Sequence, residues 1–234
     1  MYYYYDYSWF VLLPAIILTM ITQARINRAY RTYSQVPVST GVTGAEAARA
    51  MMDANGLSGI AINVLNGGNS LMNYYDPRSK SLNLSREVYA SRSVSAVCIA
   101  CHEVGHAIQD ATNYAPLALR NGIVPAVNLT QMVSWPLIFF GLVMSSASPY
   151  GSLMFLAGVV CFIFVIFFHL ITLPVEFNAS NRALANLREL RLVNEEDYIG
   201  SRTVLKAAAM TYVAALATAV ASLLRVFLIA GRRR

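Results

Sequence analysis

Charged side chains supply only 13% of this 234-residue chain, about half the share usual in water-soluble domains. That shortage argues against a fold surrounded by water on all sides. Cysteine is scarce too: Cys98, Cys101 and Cys161 are the whole supply, which excludes a disulfide-stapled scaffold. With only His102, His106 and His169 in the sequence, any histidine-based metal centre must use most of the histidines. The first apolar run is preceded by tyrosines, with no basic start and no small-residue cleavage site, so a retained anchor is expected and not a cleaved signal peptide. The basic residues do not alternate with a reading motif such as a helix-turn-helix, so the net charge of +6 does not call for nucleic acid.

What is present is hydrophobic: 56% of the residues, gathered into four runs. A bilayer-spanning helix needs about 20 successive apolar residues, and the runs cover 8–24, 124–144, 151–173 and 207–230. The first reads as an anchor helix. The second and third, 124–173 together, form a transmembrane hairpin turning around Ser145 to Tyr150. The fourth carries Arg225 near its end and suits either a span or an interfacial helix. Between the first two runs stand Arg25, Arg28, Arg31, Arg49, Arg78, Lys80, Arg86, Arg92 and Arg120; between the last two stand Arg182, Arg188, Arg191, Arg202 and Lys206. The first eight residues and the hairpin loop hold no Lys or Arg. The positive-inside rule then places both basic segments in the cytoplasm, although Arg232 to Arg234 run against it if the last run crosses. A multi-pass cell-membrane protein is expected, with the lipid bilayer as partner and the chemistry on the cytoplasmic side.

The segment 43–122 reads as a helix, a small sheet and a second helix. Thr43 and Glu46 have capping-box spacing and Gly56 follows the helix, with Ala47, Ala50, Met51 and Ala54 along one face. Ile60 to Leu65, Leu71 to Tyr75 and Ser81 to Leu84 read as strands, punctuated by Gly67-Gly68 and by Asp76-Pro77-Arg78. From Ser93 the run VSAVCIACHEVGHAIQ reads as a buried helix.

On that helix His102 and His106 are one turn apart, so both rings reach a single ion. Glu103 lies beside them, placed to take a proton from metal-activated water and return it to a leaving amine. The competing reading is two histidines satisfied by ordinary hydrogen bonds, but two histidines and a glutamate in an apolar helix are costly to bury without a partner. A catalytic zinc needs a third protein ligand. Glu176 is the best-placed acid, because Pro174 suits the start of a helix over 174–206 on which Ala179, Ala183 and Leu187 share a face. His169 is the other candidate. Ser180 and Asn178 are candidate partners behind the ligands. Cys98-Ile99-Ala100-Cys101-His102 also spells the attachment pattern of c-type haem, a reading that leaves Glu103 and His106 without a role; buried thiols are the simpler account.

The chain resembles the YugP-like membrane zinc metallopeptidases of bacteria. The resemblance is carried by AxHEVGHAIQ at Ala100 to Gln109, YDPRSK at Tyr75 to Lys80, YAPLALRN at Tyr114 to Asn121, LPVEFNAS at Leu173 to Ser180, TGAEAAR at Thr43 to Arg49 and an altered LTYVAA at Met210 to Ala215. The cysteines at 98 and 101, and Ser70 to Asn73 where a histidine often precedes the tyrosine and aspartate, depart from the family pattern. The resemblance to membrane gluzincins supports Glu176 as the third ligand. The expected fold is α+β: one membrane-integrated peptidase domain over 1–234, mainly helical, with a zincin-like part made of the small sheet and the HExxH helix. The expected function is zinc-dependent hydrolysis of peptides or membrane proteins, with one Zn2+ per chain on His102, His106 and Glu176 and Glu103 as base. Tyr212, Arg182 and Tyr75 are candidate oxyanion donors, and an extended substrate is expected to pair with the strand at Ser81 to Leu84. The rival expectation is an inactive zinc-binding scaffold or regulator.

Overall fold

A computed structural model describes residues 7–65, 72–144 and 148–231; the expected Gly67-Gly68 turn lies outside them. The chain divides into two compact units. One comprises residues 1–21, 119–173 and 211–234, the other 22–118 and 174–210.

The first unit is built from long helices. α1 covers Leu13–Tyr33 after a 3-10 turn at Tyr7–Val11, so the helix starts later than expected from residue 8 and runs well past Arg25. Pro14 falls in its first turn, where a missing backbone donor costs nothing. α5 (Ala115–Met144), α6 (Pro149–Glu189) and α7 (Glu195–Gly231) are each long and apolar enough to cross a membrane; among the described residues α1 does not join them. Ile138, Val159, Phe162 and Val226 form a buried cluster in this unit. Gly158 permits it, since a Cβ there would stand 2.7 Å from the Ile138 nitrogen, and small residues of this kind let apolar helices touch. The charge of Arg225 within apolar α7 is answered by the Trp9 ring, 3.6 Å below its guanidinium, a cation–π contact.

In the second unit α2 (Gly44–Ala54) opens with the full capping box, Thr43 and Glu46 each bonding the other's backbone N–H. Its buried stripe is Ala47, Ala48, Met51 and Met52, not the expected face through Ala50 and Ala54, because α2 packs against α4 with the stripe one residue round. β1 (Ala61–Leu65), β2 (Tyr74–Asp76) and β3 (Ser81–Ser85) form a sheet in the order β1-β3-β2. β1 runs parallel to β3 with Ala61 opposite Ser81, and β2 runs antiparallel with Tyr75 opposite Leu82. β3 is therefore central. Both of its edges are occupied, so an extended substrate cannot pair with Ser81 to Leu84, contrary to the sequence expectation; the sheet's outer edges belong to β1 and β2. Leu82 and Leu84 enter the main core with Val97, Val104 and Leu187.

α3 (Arg86–Ala90) leads into α4 (Val94–Ala111), capped by Ser93. α6 contains Pro174 in its interior, so the expected helix start at Pro174 is not there. The ring removes the donor to the Leu170 carbonyl, but Val175, Ala179, Ala183 and Leu187 are all fully buried. Packing of that face holds the helix together across a residue that would end it in isolation. Replacing Thr43 by Ala should cost about 1 kcal/mol, seen as faster amide exchange confined to the first turn of α2.

Candidate metal centre

α4 is the axis of the second unit, with twelve of its eighteen residues buried. His102 and His106 project from it one turn apart, their ring centroids separated by 4.9 Å. Gly105 lies between them in sequence, and its bare Cα meets α6: a Cβ there would stand 2.5 Å from the Ala179 carbonyl oxygen and 3.0 Å from the carbonyl carbon. Only glycine permits this approach. Glu176 is three residues before Ala179 and so one turn back along α6, which brings its carboxylate onto the histidines. Glu176 Oε2 is 3.4 Å from His102 Nε2 and 3.8 Å from His106 Nε2.

The donor set fits a metal ion. All three ligand atoms lie within 4.8 Å of one another, and tetrahedral zinc with bonds near 2.0 to 2.1 Å has ligand–ligand separations of about 3.4 Å. Glu176 is only 3% exposed, a setting in which a carboxylate calls for a positive partner. His169 lies in the other unit, outside the group.

The far sides of both rings are held. Ser180 Oγ lies 3.2 Å from His102 Nδ1, as the sequence suggested. His106 Nδ1 faces Gln109 Oε1 at 3.0 Å. Gln109 Nε2 donates to the Val175 carbonyl at 2.8 Å and to Asn178 Oδ1 at 2.9 Å, and Arg182 Nε donates to the same Asn178 oxygen at 2.8 Å. A guanidinium only donates, so Arg182 fixes the Asn178 amide with its oxygen toward Gln109. Gln109 must then answer with its NH2 group, which turns its own oxygen to His106. An amide oxygen only accepts, so the His106 proton sits on Nδ1 and the Nε2 lone pair points at the centre, the tautomer that metal binding needs.

Gln109 was not singled out by the sequence, and its signal was modest: one uncharged polar residue three positions after His106 on a buried face, where i,i+3 neighbours meet. It is fully buried. Of the expected oxyanion donors, Arg182 belongs to this network through Nε, while the Tyr75 hydroxyl donates to Asp110 Oδ2 at 2.7 Å. Burial, with the bond to and charge of Asp110, keeps that phenol protonated well above its usual range. Tyr212 lies on α7 in the other unit. Glu103 is half-buried on α4 between His102 and Val104.

Cys98 and Cys101 are fully enclosed in the core. Burial raises both thiols, Cys101 to about 12, and Cys98 Sγ points at the Ser95 carbonyl. Haem attachment would require opening the core around both sulfurs.

Two substitutions test this arrangement. Gly105→Ala must push α4 and α6 apart; a loss of about 1 to 3 kcal/mol is expected, with thermal unfolding that zinc no longer delays. Gln109→Met keeps the volume but releases His106, and should weaken zinc binding about 10- to 100-fold in chelator competition while helix content stays unchanged.

Comparison with known proteins agrees with this geometry. The family described as "Putative neutral zinc metallopeptidase" matches residues 8–231. The "Putative membrane protease YugP" of Bacillus subtilis (strain 168) is 40% identical over 221 residues, covering 94% of this chain and 95% of that protein. No solved structure matches. The match runs through both units and through every residue of the candidate centre, and the chain therefore belongs to that neutral zinc metallopeptidase family.

Proposed function

We propose that this chain is a membrane endopeptidase of gluzincin type, holding one zinc ion through His102 Nε2, His106 Nε2 and the Glu176 carboxylate. The observation that carries the reading is the convergence of two ring nitrogens on a buried carboxylate, with both opposite ring nitrogens already engaged. Bound there, zinc supplies Lewis acidity that makes water a better nucleophile and a peptide carbonyl a better electrophile. Three protein ligands leave room for both.

Glu103 follows His102 by one residue, about 100° round the helix, so it borders the centre without joining it. It accepts the proton of the attacking water and then delivers it to the departing amine. Ser180, Gln109 and Asn178 keep the histidine rings oriented through that exchange. Arg182, tied to the centre through Asn178, is the donor we retain for the oxyanion. A purely structural zinc site has no use for Glu103, and among the described residues the ligand group has three members, not the four of a closed site.

The distribution of Lys and Arg along the sequence supports a multi-pass arrangement with the centre on the cytoplasmic side. Substrates drawn from membrane proteins, or from peptides released at the bilayer, follow from that location.

Glu103→Gln should retain zinc, measured by metal analysis of purified protein, while cleavage of a peptide library falls about a hundredfold or more. Glu176→Ala should lose both zinc and cleavage. Full cleavage by the first variant, or full zinc occupancy in the second, would overturn the reading.

A further inference from the structure

The second unit contains a cavity of about 520 Å³ between the part of α1 after residue 22 and the stretch of α7 from Thr203 to Met210, and it shares no residue with the metal centre. Arg25 and Arg28 from α1 and Lys206 from α7 line it; Thr32, Tyr33 and Thr203 add hydroxyls, and Ala29, Ala207 and Met210 form an apolar part of the wall. No acidic residue lines it. Among the described residues none of the three cations is paired with a carboxylate, whereas Arg49, Lys80 and Arg188 of the same unit have Asp53, Asp110 and Glu195. Three like charges around one cavity repel one another, and an anion placed among them relieves that repulsion.

We propose that this cavity binds the headgroup of an anionic phospholipid. Two observations favour a lipid over a soluble anion. Along α1 the exposed large hydrophobic residues before the cavity are Leu13, Ile16, Ile17, Met20 and Ile21, and the first cation, Arg25, comes one turn later. Along α7 the order is reversed: Lys206 lines the cavity, and the apolar run 207–230 begins at the next residue. Both helices thus change from basic to apolar where they border the cavity, the level at which a headgroup meets its acyl chains. The apolar wall is the second observation. Ala29, Ala207 and Met210 offer nothing to inorganic phosphate but give the glycerol and first acyl carbons a surface to cover.

The test uses the full chain in mixed nanodiscs of equal parts phosphatidylglycerol and phosphatidylcholine, with the lipid retained after detergent release counted by native mass spectrometry. The wild type should retain phosphatidylglycerol preferentially. Neutralising Arg25, Arg28 and Lys206 to Gln should abolish the preference, each cation contributing about fivefold. Neutralising the exposed Arg78, Arg86 and Arg202, which do not line the cavity, should leave it intact. The single charge reversal Lys206→Glu serves if the triple variant does not fold, and should reduce the preference by at least as much as one neutralisation. Equal retention of the two lipids by the wild type, equal loss in the two triple variants, an unaltered preference in Lys206→Glu, or displacement of the lipid by millimolar inorganic phosphate would each overturn the proposal.

Discussion

The close approach of Gly105 to the Ala179 peptide is the contact on which the candidate centre depends. Two of the three candidate ligands come from α4 and one from α6, and neither helix supplies the full set alone. A Cβ at 105 would stand 2.5 Å from the Ala179 carbonyl oxygen, well inside van der Waals contact, so any side chain there pushes the two backbones apart, whereas metal–ligand distances tolerate only a few tenths of an ångström. The glycine inside the histidine motif is therefore part of the centre, although it offers no ligand atom.

The same contact organises the groups behind the ligands. Once α6 lies against α4, the residues around Ala179 meet the histidines and their supports: Ser180 reaches His102, and Asn178 and the Val175 carbonyl hold Gln109 against His106. Hydrogen-bond polarity then passes inward from an obligate donor, Arg182, to a ring nitrogen whose lone pair faces the candidate centre. Each member of the chain is constrained by the next, and this accounts for a fully buried glutamine in a helix whose other buried residues are mostly Ala, Val and Cys.

How much of this was legible in the sequence depended on whether the controlling interaction was local. The capping box at Thr43, the start of α4 at Ser93 and the face through Ala179, Ala183 and Leu187 were readable, because each is set within a few residues. Pro174 misled for the same reason: proline is a strong local stop signal, and only tertiary packing on the buried face of α6 overrides it. The three strands were legible, but their order was not, since sheet order depends on partners distant in sequence. That is why β3 was expected at an edge and is central. Glu176 could be nominated by elimination, and Ser180 and Asn178 by spacing from it. Gln109 could not, because its role exists only when α6 is in place.

The stretch of α6 after Pro174 carries the third candidate ligand on the face that packs into the core. Glu176 stands between Val175 and Ala179, both fully buried. Sliding that face by a single residue along the helix axis would move the carboxylate about 1.5 Å, several times what a metal site tolerates. The side chains that seat this face in the core therefore also set the reach of the carboxylate, and repacking them would alter metal affinity without touching a ligand.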